Sequence, residues 1–273
     1  MRGLFWAALV VAATVVLVFL ALPLVALFLH TPPGRLASQL GDRVFLDAVV
    51  VSLKTSAIAH VLVLGLGTPV AYLLSRRRFR GRALALTLIE LPLVLPPAVA
   101  GIALLATFGR LGLLGSTLGA LGLQVGFTQA AVVLAVAFVE APFYLRAAVA
   151  AFEAVDASLL DAARTLGASP GRVFARVALP LAAGGLGAGS ALALARGLGE
   201  FGATIIFAGS LQGVTQTLPL AIYAQLDTSF DGAIAIGAVF VLVGASVLLV
   251  SKLLPWQRFA STSPFRSAPS SSS

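Results

Sequence analysis

Ala154-Val-Asp-Ala-Ser-Leu-Leu-Asp-Ala-Ala-Arg-Thr-Leu-Gly-Ala-Ser-Pro-Gly-Arg-Val-Phe-Ala-Arg-Val-Ala-Leu-Pro180 is a short amphipathic stretch set between two apolar runs, about Thr128–Leu145 and about Leu181–Ala208. Ser158 can cap a helix, with Asp161 three residues on as a shortened capping box, since aspartate reaches less far than glutamate. Leu159, Leu160, Ala163 and Leu166 then share a face at helical spacing, while Asp161 and Arg164 turn outward. Gly167 stands where that helix ends. Ser169 followed by Pro170 starts a second helix with proline in its first position. There Val173, Phe174 and Val177 share a face, away from Arg172 and Arg176, and Pro180 opens the next apolar run. The expectation is two short amphipathic helices with a glycine break at a membrane surface. As physics alone has it, they are either an interfacial linker or a docking site for a partner protein.

The surroundings of this stretch define its setting. The 273 residues are 59% hydrophobic and only 10% charged, with a mean hydropathy of +1.05. A soluble domain carries about 25% charged residues, so these few charges could not cover a water-facing surface. Apolar runs recur at Phe5–Leu29, about Ala48–Leu74, about Ala83–Phe108, Thr128–Leu145, Leu181–Ala208 and about Ala233–Leu254. Each is long enough for the roughly 20 residues that span a bilayer. Pro23, Pro69, Pro92, Pro96, Pro97 and Pro142 fall inside them, which membrane helices tolerate when neighbours satisfy the freed carbonyls. The first run is too long for the apolar core of a cleaved signal, and no small-x-small site ends it. The fold class is therefore all-α, a polytopic bundle of about six transmembrane helices in a lipid bilayer.

Basic residues orient it. Arg76, Arg77, Arg78, Arg80 and Arg82 fill the second connection, and Arg146, Arg164, Arg172 and Arg176 the fourth. Arg2 precedes the first run, and Lys252, Arg258 and Arg266 lie at or beyond the end of the last, whereas the opposite side holds Arg35, Arg43 and Arg110. Positive connections face the cytoplasm, so both termini are expected inside. Residues 1–45 read as a first span with an external loop, 46–255 as the core with a cytoplasmic loop at 153–180, and 256–273 as a serine-rich, disordered cytoplasmic tail. No internal repeat and no paired interrupted segments are visible.

Several chemistries are excluded. There is no cysteine, and His30 and His60 are too few for a histidine-based metal centre. The net charge of +8 is not interleaved with aromatics, which argues against nucleic acid. A phosphate-cradling loop needs a glycine-lysine pair, yet Lys54 and Lys252 follow Leu53 and Ser251. There is no cysteine nucleophile and no HExxH motif, so the chain reads as a non-catalytic subunit. Lys54, Glu90, Glu140, Arg196 and Glu200 fall in or near apolar runs, where each costs about 2.5–3.5 kcal/mol at a helix centre. Arg196 and Glu200, four apart, can face each other. They either flank an ion pathway or orient their helix. Glu140 and Glu90 are expected to reach the cytoplasmic interface. His60 is expected to be packed or hydrogen-bonded, and Thr204, Ser210 and Thr215 are candidates to line a polar path.

Asp161-Ala162-Ala163 followed by Gly167, Val177 and Leu179-Pro180 resembles the EAA loop of ATP-binding-cassette importer permeases, with Asp161 where that family more often shows glutamate. Ala195-Arg-Gly-Leu-Gly-Glu-Phe-Gly-Ala-Thr204, Phe207-Ala-Gly209, Thr215-Gln-Thr-Leu-Pro-Leu-Ala-Ile-Tyr223 and Leu91-Pro-Leu-Val-Leu-Pro-Pro97 look like the molybdate/tungstate branch. The resemblance covers about residues 45–255. It implies a type I importer permease fold in a bacterial or archaeal cytoplasmic membrane. It also implies that Asp161, Ala162, Ala163, Gly167 and Pro170 couple to the ATPase, and that two permease copies, two ATPase subunits and an extracytoplasmic oxyanion-binding protein work together. ATP and magnesium would be held by the partner, with no cofactor on this chain. Arg196, Glu200, Thr204, Ser210 and Thr215 would lie by the translocation path. A sulfate or other oxyanion permease, and an ATP-independent channel or secondary transporter, are the alternatives.

Overall fold

The computed structural model describes residues 2–30 and 41–253, with 32, 34 and 38 between them. The expected tail, 256–273, lies outside the described residues. The helices are α1 Arg2–Leu29, α2 Arg43–Arg76, α3 Arg82–Val94, α4 Pro97–Phe108, α5 Gly115–Ala120, α6 Gln129–Glu153, α7 Ala157–Thr165, α8 Pro170–Leu198, α9 Gly202–Phe207, α10 Leu218–Leu226 and α11 Phe230–Leu253. No strand occurs among the described residues. Helices α1, α2, α6, α8 and α11 are long and apolar enough to cross a membrane, and α3 with α4 makes a sixth span if the bent pair counts as one. Helix α1 keeps large apolar side chains exposed all along its length, among them Leu4, Phe19 and Leu29. Such a helix belongs in lipid.

The expected third span is not one straight helix. Helix α3 stops at Val94, α4 restarts at Pro97, and their axes differ by 117°. Leu95 precedes Pro96, and Pro96 precedes Pro97. Each is pushed out of the helical region by the ring that follows, and both have extended ψ values of 130° and 138°. The expected fifth span also breaks, because α8 ends at Leu198 and a new short helix, α9, begins at Gly202. The chain therefore does contain a pair of interrupted segments, contrary to the sequence reading, and they pack on each other. A Cβ on Gly202 would stand 2.5 Å from the Cβ of Pro97, and one on Gly101 would stand 2.8 Å from the carbonyl of Ala203. Only glycine permits this approach of α4 and α9.

Pro180 does not open a helix either. Helix α8 runs through it, with a π turn over Phe174–Ala178 just before. A proline has no N–H to donate and crowds the carbonyl four residues back, and the wider turn relieves both.

Two compact units form. Among the described residues, one comprises those of 2–52 with 210–245, the other 53–209 with 246–253. In the first, Phe45, Ala48, Leu218, Ala221 and Ile236 make a small core, and the Ser52 hydroxyl accepts the Leu218 N–H at 2.7 Å. In the second, α2 and α6 run parallel. Lys54 donates to Gln129, Thr68 meets Tyr144 and Arg76 reaches Val155, so the contacts advance together along both helices. Helix α8 runs antiparallel to α6 and packs on it through small residues. Cβ atoms on Gly185 and Gly189 would stand 2.6 Å and 2.4 Å from those of Ala151 and Ala147. Close backbone approach of this kind is how membrane helices gain packing energy when lipid offers no hydrophobic drive.

Candidate coupling loop and buried polar residues

The loop after α6 stands on a rigid base. Leu160 of α7 and Val173 of α8 are each 1% exposed and join Phe152 and Val155 in one core. Tyr72 of α2 packs edge-on against Phe152 and at a tilt against Phe174, at centroid distances of 5.3 Å and 4.9 Å. Arg76 donates from Nη2 to the carbonyls of Phe152 and, at 2.8 Å, Val155. These carbonyls lie at and just past the end of α6, where the helix carries partial negative charge. Arg82 donates to the Leu74 carbonyl at 2.7 Å and to Glu153 at 2.6 Å. Read from sequence, Arg76 and Arg82 were only topology signals. In the fold they fasten the loop to the bundle, a role that no local pattern reveals because their partners lie about 70 positions away.

The two expected helices are present, with differences. Asp156, not Ser158, caps α7, and its side chain accepts the Ser158 N–H at 2.9 Å. That bond and a second to the Ser158 hydroxyl hold the Asp156 carboxyl below the usual aspartate range. Asp161 instead pairs with Arg164 at 2.6 Å on the exposed face. Of the expected apolar face, Leu160 is buried and Ala163 packs beside it, but Leu159 and Leu166 are 49% and 88% exposed. Gly167 ends the turn with φ +83°, the left-handed conformation that glycine adopts without strain. Ser169 and Pro170 begin α8 as expected. The surface so formed is a nine-residue helix anchored by one leucine, presenting Leu159, Asp161, Arg164 and Leu166 outward.

The buried charges fall into two groups. Arg196 meets Glu200 at 3.0 Å, and the other Glu200 oxygen accepts the Ala203 N–H at 2.8 Å. Glu200 thus ties the end of α8 to the start of α9. Arg196 also borders a cavity of about 150 Å³ lined by Pro92, Leu95, Pro97, Val139 and Phe143, at the break between α3 and α4. Glu140 does not reach an interface. It is fully buried, and one oxygen contacts Nδ1 of His60. Glu90 is half-exposed and pairs with Arg146 at 3.3 Å. Thr204 is buried in the same unit, with an unpartnered hydroxyl. In the other unit Thr215 accepts the Leu211 N–H at 3.0 Å, and Ser210 accepts from Gln216 at 3.2 Å. Those two hydroxyls shape the turn before α10. Among the described residues no group of three or more histidine or acidic side chains could hold a metal ion.

The profile of a family described as the binding-protein-dependent transport system inner membrane component matches residues 64–255. The molybdenum transport system permease protein of Mycobacterium tuberculosis is 48% identical over 233 residues, covering 85% of this chain and 88% of that one. Its counterpart in Escherichia coli is 42% identical, covering 76% and 92%. A probable molybdenum ABC transporter permease protein of Haloferax volcanii is 38% identical and covers 90% of each chain. Among solved structures, a bacterial ABC transporter involved in import of the acidic polysaccharide alginate aligns with a TM-score of 0.74 at 17% identity, over 93% of this chain and 95% of that chain. The inward-facing MetNI methionine ABC transporter aligns at 0.62 and 18% identity, over 79% and 96%. Likeness at such identities speaks for the fold alone.

Proposed function

The chain belongs to the binding-protein-dependent transport system inner membrane components, and from that membership we propose that it is the multi-pass permease subunit of an ATP-driven importer carrying molybdate, or the chemically equivalent tungstate, inward. The observation that carries the coupling role is α7. A short helix fixed to the bundle by Leu160, Arg76 and the Tyr72–Phe152–Phe174 cluster transmits force, because its base cannot slide when its outer face is pushed. Leu159 and Leu166 give that face apolar contacts, and the Asp161–Arg164 pair gives it a polar rim.

On this reading both termini are cytoplasmic, and a second copy of the chain completes the pathway. Two ATPase subunits seat the α7 helices of the pair, and an extracytoplasmic binding protein delivers the anion. ATP and magnesium belong to the ATPase, and this chain performs no chemistry. Closure of the ATPases draws the two α7 helices together, and the bundle opens outward to receive the oxyanion. Asp161, Ala162, Ala163, Gly167 and Pro170 form the coupling segment. Arg196, Glu200, Thr204, Ser210 and Thr215 are proposed to border the path.

The test is co-expression with candidate ATPase subunits, followed by reconstitution with the binding protein. Stoichiometric co-purification and ATP-dependent molybdate uptake are expected, with sulfate competition measuring selectivity among oxyanions. Gly167→Val forces a β-branched residue into a left-handed conformation at a cost of about 1–2 kcal/mol, although the space around Gly167 is open. It is expected to leave the ATPase bound but to lower the anion carried per ATP hydrolysed. Uptake by the chain alone, down a gradient and without ATPase, would overturn the importer reading.

A further inference from the structure

A groove of about 410 Å³ runs between α2, α4 and α6, and every residue lining it is apolar. Leu62, Leu66 and Val70 of α2 form one wall, and Leu134, Phe138 and Leu145 of α6 form another. Each set repeats at helical spacing and so makes one stripe of its helix. Between the stripes lie Ala141 and Gly67, and a Cβ on that glycine would stand 3.1 Å from the Tyr144 ring. Because α2 and α6 are parallel, the groove follows their axes. From Leu134 to Leu145 it is about 16 Å long.

Polar pairs mark its depth in the bilayer. Lys54 donates to Gln129 at 2.8 Å at the start of α6, and Arg146 meets Glu90 at 3.3 Å further along. About 26 Å of helix separates Gln129 from Arg146, close to the hydrocarbon thickness of about 30 Å. The groove lies between these pairs and ends at Leu145, the neighbour of Arg146. At that depth a concavity takes up an apolar occupant, since an open space forfeits contacts with its lining. Spread over about 16 Å, 410 Å³ gives a cross-section of about 26 Å². That is the girth of one hydrocarbon chain, whereas a helix about 10 Å across needs about 80 Å².

The end of the groove selects the headgroup. Leu145 and Arg146 share a small crevice with Leu86 and Ile89 of α3, which joins the groove to the guanidinium. The Arg146 side chain is 60% exposed and meets Glu90 through Nε. Its two terminal nitrogens offer a phosphate the forked geometry that guanidinium groups use for oxyanions. Arg77, Arg78 and Arg80, just beyond the end of α2, are also exposed and make this end basic.

We propose that this groove is a lipid site, in which one acyl chain of an anionic phospholipid lies along Leu66, Phe138 and Leu145 and its phosphate sits on Arg146. The two helices it touches lead into the base of the α7 loop through Tyr72, Arg76 and Phe152. The assignment rests on the chain's place in a bilayer and not on the importer reading. In the orientation proposed above, the lipid belongs to the cytoplasmic leaflet.

Tryptophan fluorescence tests it. Trp6 and Trp256 are the chain's two tryptophans. With Trp6→Phe and Trp256→Phe as background, Phe138→Trp places a single indole in the groove. The full chain is then held in phosphatidylcholine nanodiscs containing a minor fraction of brominated phosphatidylglycerol or brominated phosphatidylcholine, whose chains quench an indole they touch. Phosphatidylglycerol is expected to bind more tightly by roughly five-fold, the ratio that one basic side chain near a surface supports, and less so at high salt. Arg146→Gln should make the two lipids equal. Arg110→Gln, two residues beyond the lining Phe108, should leave the ratio unchanged. Ala141→Leu, which adds volume inside the groove, should reduce quenching by both lipids. As a check free of substitutions, native mass spectrometry of the wild-type chain should show phosphatidylglycerol retained over phosphatidylcholine. Equal affinity for the two lipids, a preference that survives Arg146→Gln, or one lost in Arg110→Gln would each overturn the proposal. So would an indole that neither lipid reaches because a second copy of the chain covers it.

Discussion

Gly189 of α8 lies so close to Ala147 of α6 that a Cβ on the glycine would stand 2.4 Å from the alanine's own. Four residues earlier Gly185 meets Ala151 in the same way, and eight residues later Gly197 meets Glu140. The two helices thus touch backbone to backbone along one stripe, and the stripe ends at the buried carboxylate.

Filling this seam should cost stability in a way that a compensating cavity restores. Gly189→Ala is expected to destabilise the bundle by about 1–3 kcal/mol, the usual cost of overpacking, and to lower the thermal unfolding midpoint in detergent. Ala147→Gly in the same chain should recover much of that loss. A single variant as stable as the parent would mean that the helices move apart freely, contrary to the observed packing.

Arg76 and Arg80 offer a controlled comparison, being near neighbours in the same arginine-rich turn. Arg76 binds the end of α6, whereas Arg80 is exposed in the turn between α2 and α3. Arg76→Gln should weaken the loop's attachment by about 1.5–3 kcal/mol, the range for hydrogen bonds to a charged group. Faster amide exchange over residues 155–166 would report it, along with weaker ATPase retention. Arg80→Gln should leave both unchanged. Equal effects would reduce Arg76 to a topology signal.

Acid should loosen α7 through Asp156. Its carboxyl sits below the ordinary aspartate value because it accepts bonds from Ser158. The cap is therefore complete above that ordinary value and is lost as pH falls through the lowered one. Amide exchange at the start of α7 should quicken in that acid window. In Asp156→Asn the amide oxygen still accepts the Ser158 N–H, so the acid dependence should vanish while the helix persists. An acid response retained by the asparagine variant would place its origin elsewhere.

Much of this was legible without coordinates. Membrane spans are written in composition because lipid leaves no alternative to long apolar helices, and Gly167, Ser169 and Pro170 mark their turns through backbone preferences that act locally. The Arg196–Glu200 pair was visible because four residues make one helical turn. Other features depend on partners remote in sequence. Glu140 read as an interfacial carboxylate, since nothing near position 140 announces that His60 waits 80 positions earlier. Ser158 read as the cap because a capping pattern does not say that the chain geometry will seat Asp156, two positions earlier, instead. Leu166 read as packed, yet no neighbour of its own chain covers it.

Hydropathy and turn chemistry act over a few residues, and from them alone follow the several apolar helices long enough to cross a membrane, the turn at Gly167 and the helix start at Ser169 and Pro170. Tertiary structure alone decided that the third and fifth apolar runs break and pack glycine to backbone, that Arg76 and Arg82 fasten the loop, and that Glu140 closes on His60. Those outcomes depend on which helices become neighbours, and that is settled only when the whole bundle packs and each buried polar group finds its partner.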